Sequence, residues 1–460
     1  MRFHIEKLGC IEKADIELGD LTILCGDNNT GKTYISYSIY GFLKFWDEIT
    51  ASRNDIYFRL SKEDLNELKN NKVIKKDLNL FKKDADEALK SICDKYTKEI
   101  HKVFSSGEDF FNATSFYCDI DYSITKEKYV SSVNKRGDFP FLETSKEENS
   151  SVLEIRLLPT IPSDSFDFSR FINYSIWRAI FNDYLFKLFY ITSERNAIAL
   201  FYRDLDKSKN FFIENLQERI TKKTEDIDIK DFFDIKDISR YSRPIKDSID
   251  FIRDIPDICK TKSDLIKEHP ELDKELRKIA GGDYKVEDNQ IFFLFKRGRK
   301  NQIIPLYMAS STVKSLVDLN FYIRHHAKKG DILMIDEPEL NLHPANQRRI
   351  ARLFVRLINA GIKIFVTTHS DYLIQELNNL IVLGNNFDNR NKIMKKHGYS
   401  EDDVLDKNKV RLYIVEDTTL KPIRISDLGM EVNSFDREIR EMNRIYDDMT
   451  VSMDIAYGNN

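Results

Sequence analysis

The chain has 460 residues, of which 32% are charged, yet its formal net charge is only −4. That length suffices for a large core and two lobes, since single cores stop growing near about 250–300 residues, and the balanced charge leaves any nucleic-acid contact local rather than spread over a uniformly cationic surface. Five scattered cysteines (Cys10, Cys25, Cys93, Cys118 and Cys259), odd in number and without C-x-x-C spacing, argue against a disulfide framework or zinc site and for a reducing compartment.

The N-terminal stretch MRFHIEKLGCIEKADIEL alternates apolar and charged residues as a strand does and has no apolar h-region. No apolar run reaches the roughly 18 residues of a membrane span, so a cytoplasmic protein without membrane contact is expected. Residues 1–45 read as strand, strand, glycine-containing loop and helix. Residues 60–105 place apolar side chains at three-to-four spacing between charges, which predicts a helical excursion over about 50–110. Residues 115–157 carry strand-like alternation between polar turns and predict an antiparallel sheet. Between 205 and 278 both charge signs interleave with Phe, Ile and Leu at helical spacing, broken at Pro244, Pro256 and Pro270, which predicts an inserted helical arm. Two strands joined by the basic turn KRGRK (296–300) then lead to a helix near 312–328. The apolar strands GDILMIDE and KIFVTTHS alternate with the helix NQRRIARLFVRLINA, the pattern of a parallel α/β sheet. Residues 410–427 read as a hairpin and SFDREIREMNRIYDDM as a closing helix.

Three segments carry chemistry. GDNNTGKT (26–33) fits G-x-x-x-x-G-K-[ST]: Gly26 and Gly31 let the backbone N–H groups of Asp27, Asn28, Asn29 and Thr30 curl around phosphates, Lys32 reaches the β/γ-phosphates, and Thr33 can ligate Mg²⁺. ILMIDE ends a buried strand in Asp336, suited to the Mg²⁺ shell, and Glu337, suited to polarising the attacking water. FVTTHS ends the next buried strand in His369, placed to contact the γ-phosphate. ATP and Mg²⁺ are the expected cofactors, Glu337 and His369 the expected catalytic residues, and Thr33 and Asp336 the expected metal ligands.

These spacings resemble the ABC-type ATPase superfamily, in its branch of OLD, RecF and SMC proteins, where helical insertions divide the ATPase head. The resemblance implies an α/β P-loop ATPase head with an antiparallel β subdomain and an inserted helical arm, divided as 1–204, 205–278 and 279–460. It implies nucleotide sandwiched between subunits of a homodimer or higher homo-oligomer, with Ser310 of YMASSTVKSLVDL acting in trans on the partner's γ-phosphate. Ser311 and Thr312 stand where relatives carry glycine, which bears on hydrolysis rate more than on binding. DEPELNLHP resembles the variant in which Asn341 and His343 line the dimer-crossing loop, and FYITSERNAI resembles a segment that brings Glu194 and Arg195 near the nucleotide. No glutamine precedes Gln217, so the transporter-type glutamine loop has no counterpart and Glu194 is the candidate to sense the γ-phosphate. VRLYIVEDTT is similar to the first acidic strand of a TOPRIM nuclease, but no D-x-D pair follows, so no nuclease is expected in this chain. Stand-alone heads of this kind resemble the ATPase subunits of two-gene anti-phage systems such as Septu, with an HNH nuclease partner, and PARIS, with a TOPRIM effector. The reading implied is a sensor or scaffold that controls a separate nuclease or toxic effector. The alternative is a RecF- or SMC-like ATP-dependent DNA-binding protein using the basic stretches KRGRK and NKVIKK.

Overall fold

The computed structural model describes residues 1–52, 58, 61–121, 128–134, 140–158, 169–181, 184, 186–202, 241–430, 444–447 and 449. Residues 434–443 and 448 of the expected closing helix and residues 205–240 of the expected helical insertion lie outside the described residues, while residues 444–447 of the closing helix are helical as expected. In chain order the N-terminal half builds β1 (Arg2–Leu8), β2 (Ile11–Glu17), β3 (Leu21–Cys25), α1 (Lys32–Ser52), α2 (Lys62–Asn71), β4 (Val73–Asp77), α3 (Lys82–Phe104), β5 (Ser115–Asp119), β6 (Tyr129–Asn134), β7 (Pro140–Lys146), β8 (Val152–Leu157), α4 (Ser169–Phe181) and β9 (Leu188–Ile191). The second half adds β10 (Asp283–Glu287), β11 (Gln290–Arg297), β12 (Lys300–Pro305), β13 (Ile332–Asp336), β14 (Lys363–Thr368), β15 (Val410–Glu416) and β16 (Thr419–Ile423), with helices between them.

Among the described residues, nine strands form one sheet in the order β5-β1-β2-β16-β15-β3-β14-β13-β9. The run β15-β3-β14-β13-β9 is parallel, whereas β5, β1 and β2 pair antiparallel. Every residue of β3 and β13 is buried, because successive side chains point to opposite faces and both faces are covered. Ile23, Leu333, Ile335, Ile364 and Val366 join a core with the helices at 243–280, 344–359 and 371–382. Leu24, Met334 and Phe365 face the other way, into a core with α1, α3 and α4. The expected α/β P-loop head is therefore the observed architecture. The described part of the helical insertion lies folded on the head, with Ile249, Ile252, Ile255, Leu276 and Ile279 buried in the first of these cores.

The predicted antiparallel sheet is divided. β5 extends the large sheet by pairing with β1, while β6, β7 and β8 form a separate four-stranded sheet with β4. β4 falls inside the stretch expected to be helical. Lys72 adopts a left-handed conformation that closes α2, and the β-branched Val73 and Ile74 then pair with Arg156 and Ile155 of β8. A distant strand thus overrides helical spacing, as sheet context commonly does. Two of the three lysines of NKVIKK are taken up locally: Lys76 pairs with Asp64, and Lys75 with Glu154 at 3.4 Å.

The helices flanking β14 are joined by one buried carboxylate. Glu376 is 1% exposed and accepts from Arg348 Nε at 2.7 Å and Arg352 Nε at 2.5 Å. Removing a buried, charge-assisted acceptor is costly, but the two arginines are partly exposed and can rehydrate, so Glu376→Ala should destabilise the fold by about 2 kcal/mol. Urea denaturation checks this, and an unchanged midpoint at unchanged slope would show that the staple contributes nothing.

Candidate nucleotide site

Parallel register brings the candidate residues to one edge of the sheet. Thr367 of β14 stands opposite Asp336 of β13, and Thr368 opposite Cys25 of β3. The three strands therefore end together, so that the loop 26–31, the turn after Asp336 and the segment around His369 all emerge at their carboxyl ends. Open α/β sheets bind ligands in that position.

The loop after β3 requires its glycines. Gly26 has φ +144°, and a Cβ there would lie 2.9 Å from the Val415 carbonyl oxygen; Gly31 has φ +98°, and a Cβ would lie 2.6 Å from Ile11 Cδ1 and 2.7 Å from Cys10 Sγ. Between them Asn29 is left-handed, with φ 63°, and the Thr30 hydroxyl donates to the Asp27 carbonyl at 2.8 Å. Asp27, Asn28 and Asn29 are exposed at the loop tip. Lys32 begins α1, and its ammonium lies back across the loop, donating to the carbonyls of Gly26 at 2.8 Å and Asp27 at 2.6 Å. Burial pushes its pKa down, while Glu337 is foremost among the groups that oppose the shift. A buried cation held only by carbonyl dipoles is well suited to exchange them for phosphate oxygens. Thr33 is exposed in the first turn of α1.

Asp336 is buried. Its Oδ1 accepts from Thr367 Oγ1 at 2.8 Å and from Ser36 Oγ at 3.4 Å, while Ser36 also shares a hydrogen bond with the Tyr190 hydroxyl at 2.8 Å. Its Oδ2 has no hydrogen-bond partner among the described residues. Desolvation lifts its carboxyl pKa to about 6; the nearby hydroxyls of Tyr190 and Thr367 pull the other way, and the charges of Glu194 and Glu337 add to the rise. An orphaned, buried carboxylate oxygen fits a cation. Among the described residues no three His, Cys, Asp or Glu side chains gather into a metal cage. A Mg²⁺ here would take Asp336 and Thr33 from the protein and the rest of its shell from phosphate and water, the usual Mg²⁺ pattern.

Glu337 follows in a left-handed conformation, φ 46°, which costs a non-glycine residue on the order of 1–2 kcal/mol. Its N–H is held by the Thr367 carbonyl at 3.0 Å, and its carbonyl accepts from Arg195 at 2.6 Å. His369 is exposed; its Nδ1 lies 3.8 Å from Glu337 Oε1 and 3.6 Å from Glu339 Oε1. Glu339 is buried and accepts from Thr368 Oγ1 at 2.7 Å and from the His369 N–H at 2.9 Å, which fixes the histidine segment against the turn after β13. Sequence reasoning missed Glu339, Ser36, Tyr190 and Thr367 as supports. Only Glu339 carried a signal, as the third acid of DEPEL.

Ser310 caps the short helix Ser311–Ser315 by accepting from the Val313 N–H at 3.3 Å. Among the described residues no hydrogen bond joins it to the loop 26–33. Thr312 donates to the Asn341 carbonyl at 2.7 Å, and His343 caps the helix Pro344–Asn359. The signature-like segment and the loop after Glu337 are therefore bonded to one another. Glu194 is exposed beside buried Arg195, which turns inward.

Residues 1–374 match the family AAA_15, described as an AAA ATPase domain. The chain belongs to that family. No curated protein matches it. Among solved structures it is similar to the Smc head domain of Pyrococcus furiosus, solved bound to the C-terminal domain of ScpA, at 13% identity over 97% of this chain and 98% of that one, with a TM-score of 0.33. The SMC head domain of Thermotoga maritima is 11% identical over 92% and 98%, with a TM-score of 0.30. No helix among the described residues is long and apolar enough to cross a membrane.

One buried acid tests the electrostatics behind the site. Asp318 is 2% exposed, neither carboxylate oxygen has a hydrogen-bond partner among the described residues, and desolvation lifts its pKa to about 7 against the attraction of Arg195. A carboxyl whose folded pKa exceeds its unfolded value of 3.8 contributes stability that is fully present below that value and is lost as pH rises to about 7. Asp318→Asn removes this pH-dependent loss, so the melting temperature of Asp318→Asn minus that of the wild type should become more positive between pH 5 and pH 8. A difference that stays flat or falls over that range would contradict the assignment.

Proposed function

We propose that the chain is an ATP-binding and ATP-hydrolysing head of the ABC type, working with Mg²⁺. The observation that carries this reading is the shared edge of β3, β13 and β14, where Lys32, Asp336, Glu337 and His369 come from three adjacent parallel strand ends. Gly26 to Thr30 supply backbone donors for the phosphates, and Lys32 exchanges its loop carbonyls for β/γ-oxygens. Thr33 and Asp336 would hold Mg²⁺, which when bound would neutralise phosphate charge. Glu337 orients and polarises the attacking water, and His369 meets the γ-phosphate from the neighbouring strand end.

The site takes its remaining donor from a second copy. Ser310 lies on an exposed surface beside Tyr307 and Met308, which are 65% and 64% exposed, an apolar rim that a second subunit would cover. In cells the ATP-bound homo-oligomer serves as the sensor or scaffold of a bacterial anti-phage system and controls a separate nuclease or toxic effector; the motif resemblance supports this. A second reading, ATP-dependent DNA binding in the manner of RecF or SMC proteins, is favoured by one feature. Lys296, Arg297, Arg299 and Lys300 are all exposed at the β11–β12 hairpin tip, and none has a carboxylate partner among the described residues. Unpaired cations of that kind suit phosphate backbones.

Glu337→Gln should retain ATP while turning it over on the order of 10²-fold more slowly, and Lys32→Ala should lose ATP binding outright. Turnover with radiolabelled ATP and equilibrium binding of a fluorescent ATP analogue measure the two effects. Wild-type turnover in Glu337→Gln would sink the catalytic assignment.

A further inference from the structure

Of the described arginines, only Arg195 and Arg324 are buried. Arg324 meets the carboxylates of Asp273 and Asp283. Arg195 spends its guanidinium on main chain: Nη1 donates to the carbonyls of Thr192 at 3.0 Å and Asp336 at 2.8 Å, and Nη2 to the carbonyl of Glu337 at 2.6 Å. A buried arginine without a direct carboxylate bond is expensive to keep, so its placement on two successive carbonyls of one turn calls for a reason. The carboxylates whose charge acts on it are Asp318 most strongly, then Glu339, Asp336 and Glu337.

The turn it grips is the left-handed one at Glu337, whose N–H is already held by β14. With the peptide N–H fixed on one side and the carbonyl on the other, the Cα–Cβ direction of Glu337 is set by the backbone. A planar guanidinium suits this because it presents several donors in a rigid fork; a lysine ammonium offers a point charge on a flexible stem. Arg195 of the FYITSERNAI segment would therefore act behind the turn rather than on the nucleotide.

We propose that Arg195 is a positioning residue for ATP hydrolysis, holding the main chain of Asp336 and Glu337 so that the Glu337 carboxylate faces the attacking water. The proposal rests on the ATPase reading above. The test uses the full-length chain as wild type, Arg195→Lys and Arg195→Ala. It compares kcat, KM, equilibrium affinity for a non-hydrolysable ATP analogue, and melting temperature, with and without millimolar guanidinium. Because misplacement of a reacting group by about 1 Å can cost 10²-fold, Arg195→Ala is expected to lose about 10²-fold in kcat while its nucleotide affinity stays within about twofold of wild type. Added guanidinium should recover turnover in Arg195→Ala without raising its melting temperature, and Arg195→Lys should fall between the two.

Wild-type kcat in Arg195→Ala would overturn the proposal, as would a loss of affinity as large as the loss of kcat, which would make Arg195 a nucleotide ligand. If Arg195→Ala does not fold, folded Arg195→Lys decides: kcat equal to wild type overturns the proposal, and a reduced kcat with retained affinity supports it. Wild-type protein that binds ATP without turning it over would overturn the hydrolysis reading itself, and this inference with it.

Discussion

The parallel register of β3, β14 and β13 is the constraint on which the rest of the site depends. Side chains alternate along a strand, so a one-residue slip would turn every core residue to the wrong face and move each strand end out of line with the next. The two cores on opposite faces of the sheet forbid such a slip. As a result Cys25, Asp336 and Thr368 finish within one residue of the same level, and packing brings the loop, the acidic turn and the histidine segment within reach of one another, the last two being joined directly by hydrogen bonds from Thr368 and His369 to Glu339.

Around that edge the protein uses polar side chains to hold backbone. Thr367 Oγ1 accepts from the Glu337 N–H, Glu339 accepts from the His369 N–H, and Arg195 donates to the carbonyls of Asp336 and Glu337. Burial makes each of these strong, because the low local dielectric raises both the value of a satisfied bond and the cost of an unsatisfied one. The same burial leaves Asp336 Oδ2 without a partner and Lys32 held only by carbonyls, two groups whose electrostatic needs a Mg²⁺–nucleotide would meet. β15 contributes as well. It lies beside β3 in the sheet, and the Val415 carbonyl approaches Gly26 so closely that a side chain there would have no room.

Much of this was legible in the sequence, and the exceptions share a cause. The glycine-lysine-threonine loop, the apolar strand ending in two acids and the strand ending in histidine are local patterns with local spacing, so they could be picked out directly, and the sheet brings them to one edge. The strand Val73–Asp77 could not, because its pairing partner lies about eighty residues away and its flanks carry helical spacing. Glu339 and Arg195 were quoted within motifs, yet their inward direction is set by contacts across the fold. The central position of β15 likewise depends on pairing with a strand at the other end of the chain. Residues that meet a ligand leave a motif, whereas residues that hold those residues are visible only once the chain is folded.

The central claim is that the edge formed by β3, β13 and β14 is where Mg²⁺–ATP binds. A crystal structure with Mg²⁺ and a slowly hydrolysed ATP analogue tests it most directly. The account requires the Lys32 ammonium to leave the carbonyls of Gly26 and Asp27 for the β/γ-phosphates, with the metal against Thr33 and Asp336. Nucleotide bound elsewhere, or bound at the loop with Lys32 still on those carbonyls and no metal at Asp336, would contradict it.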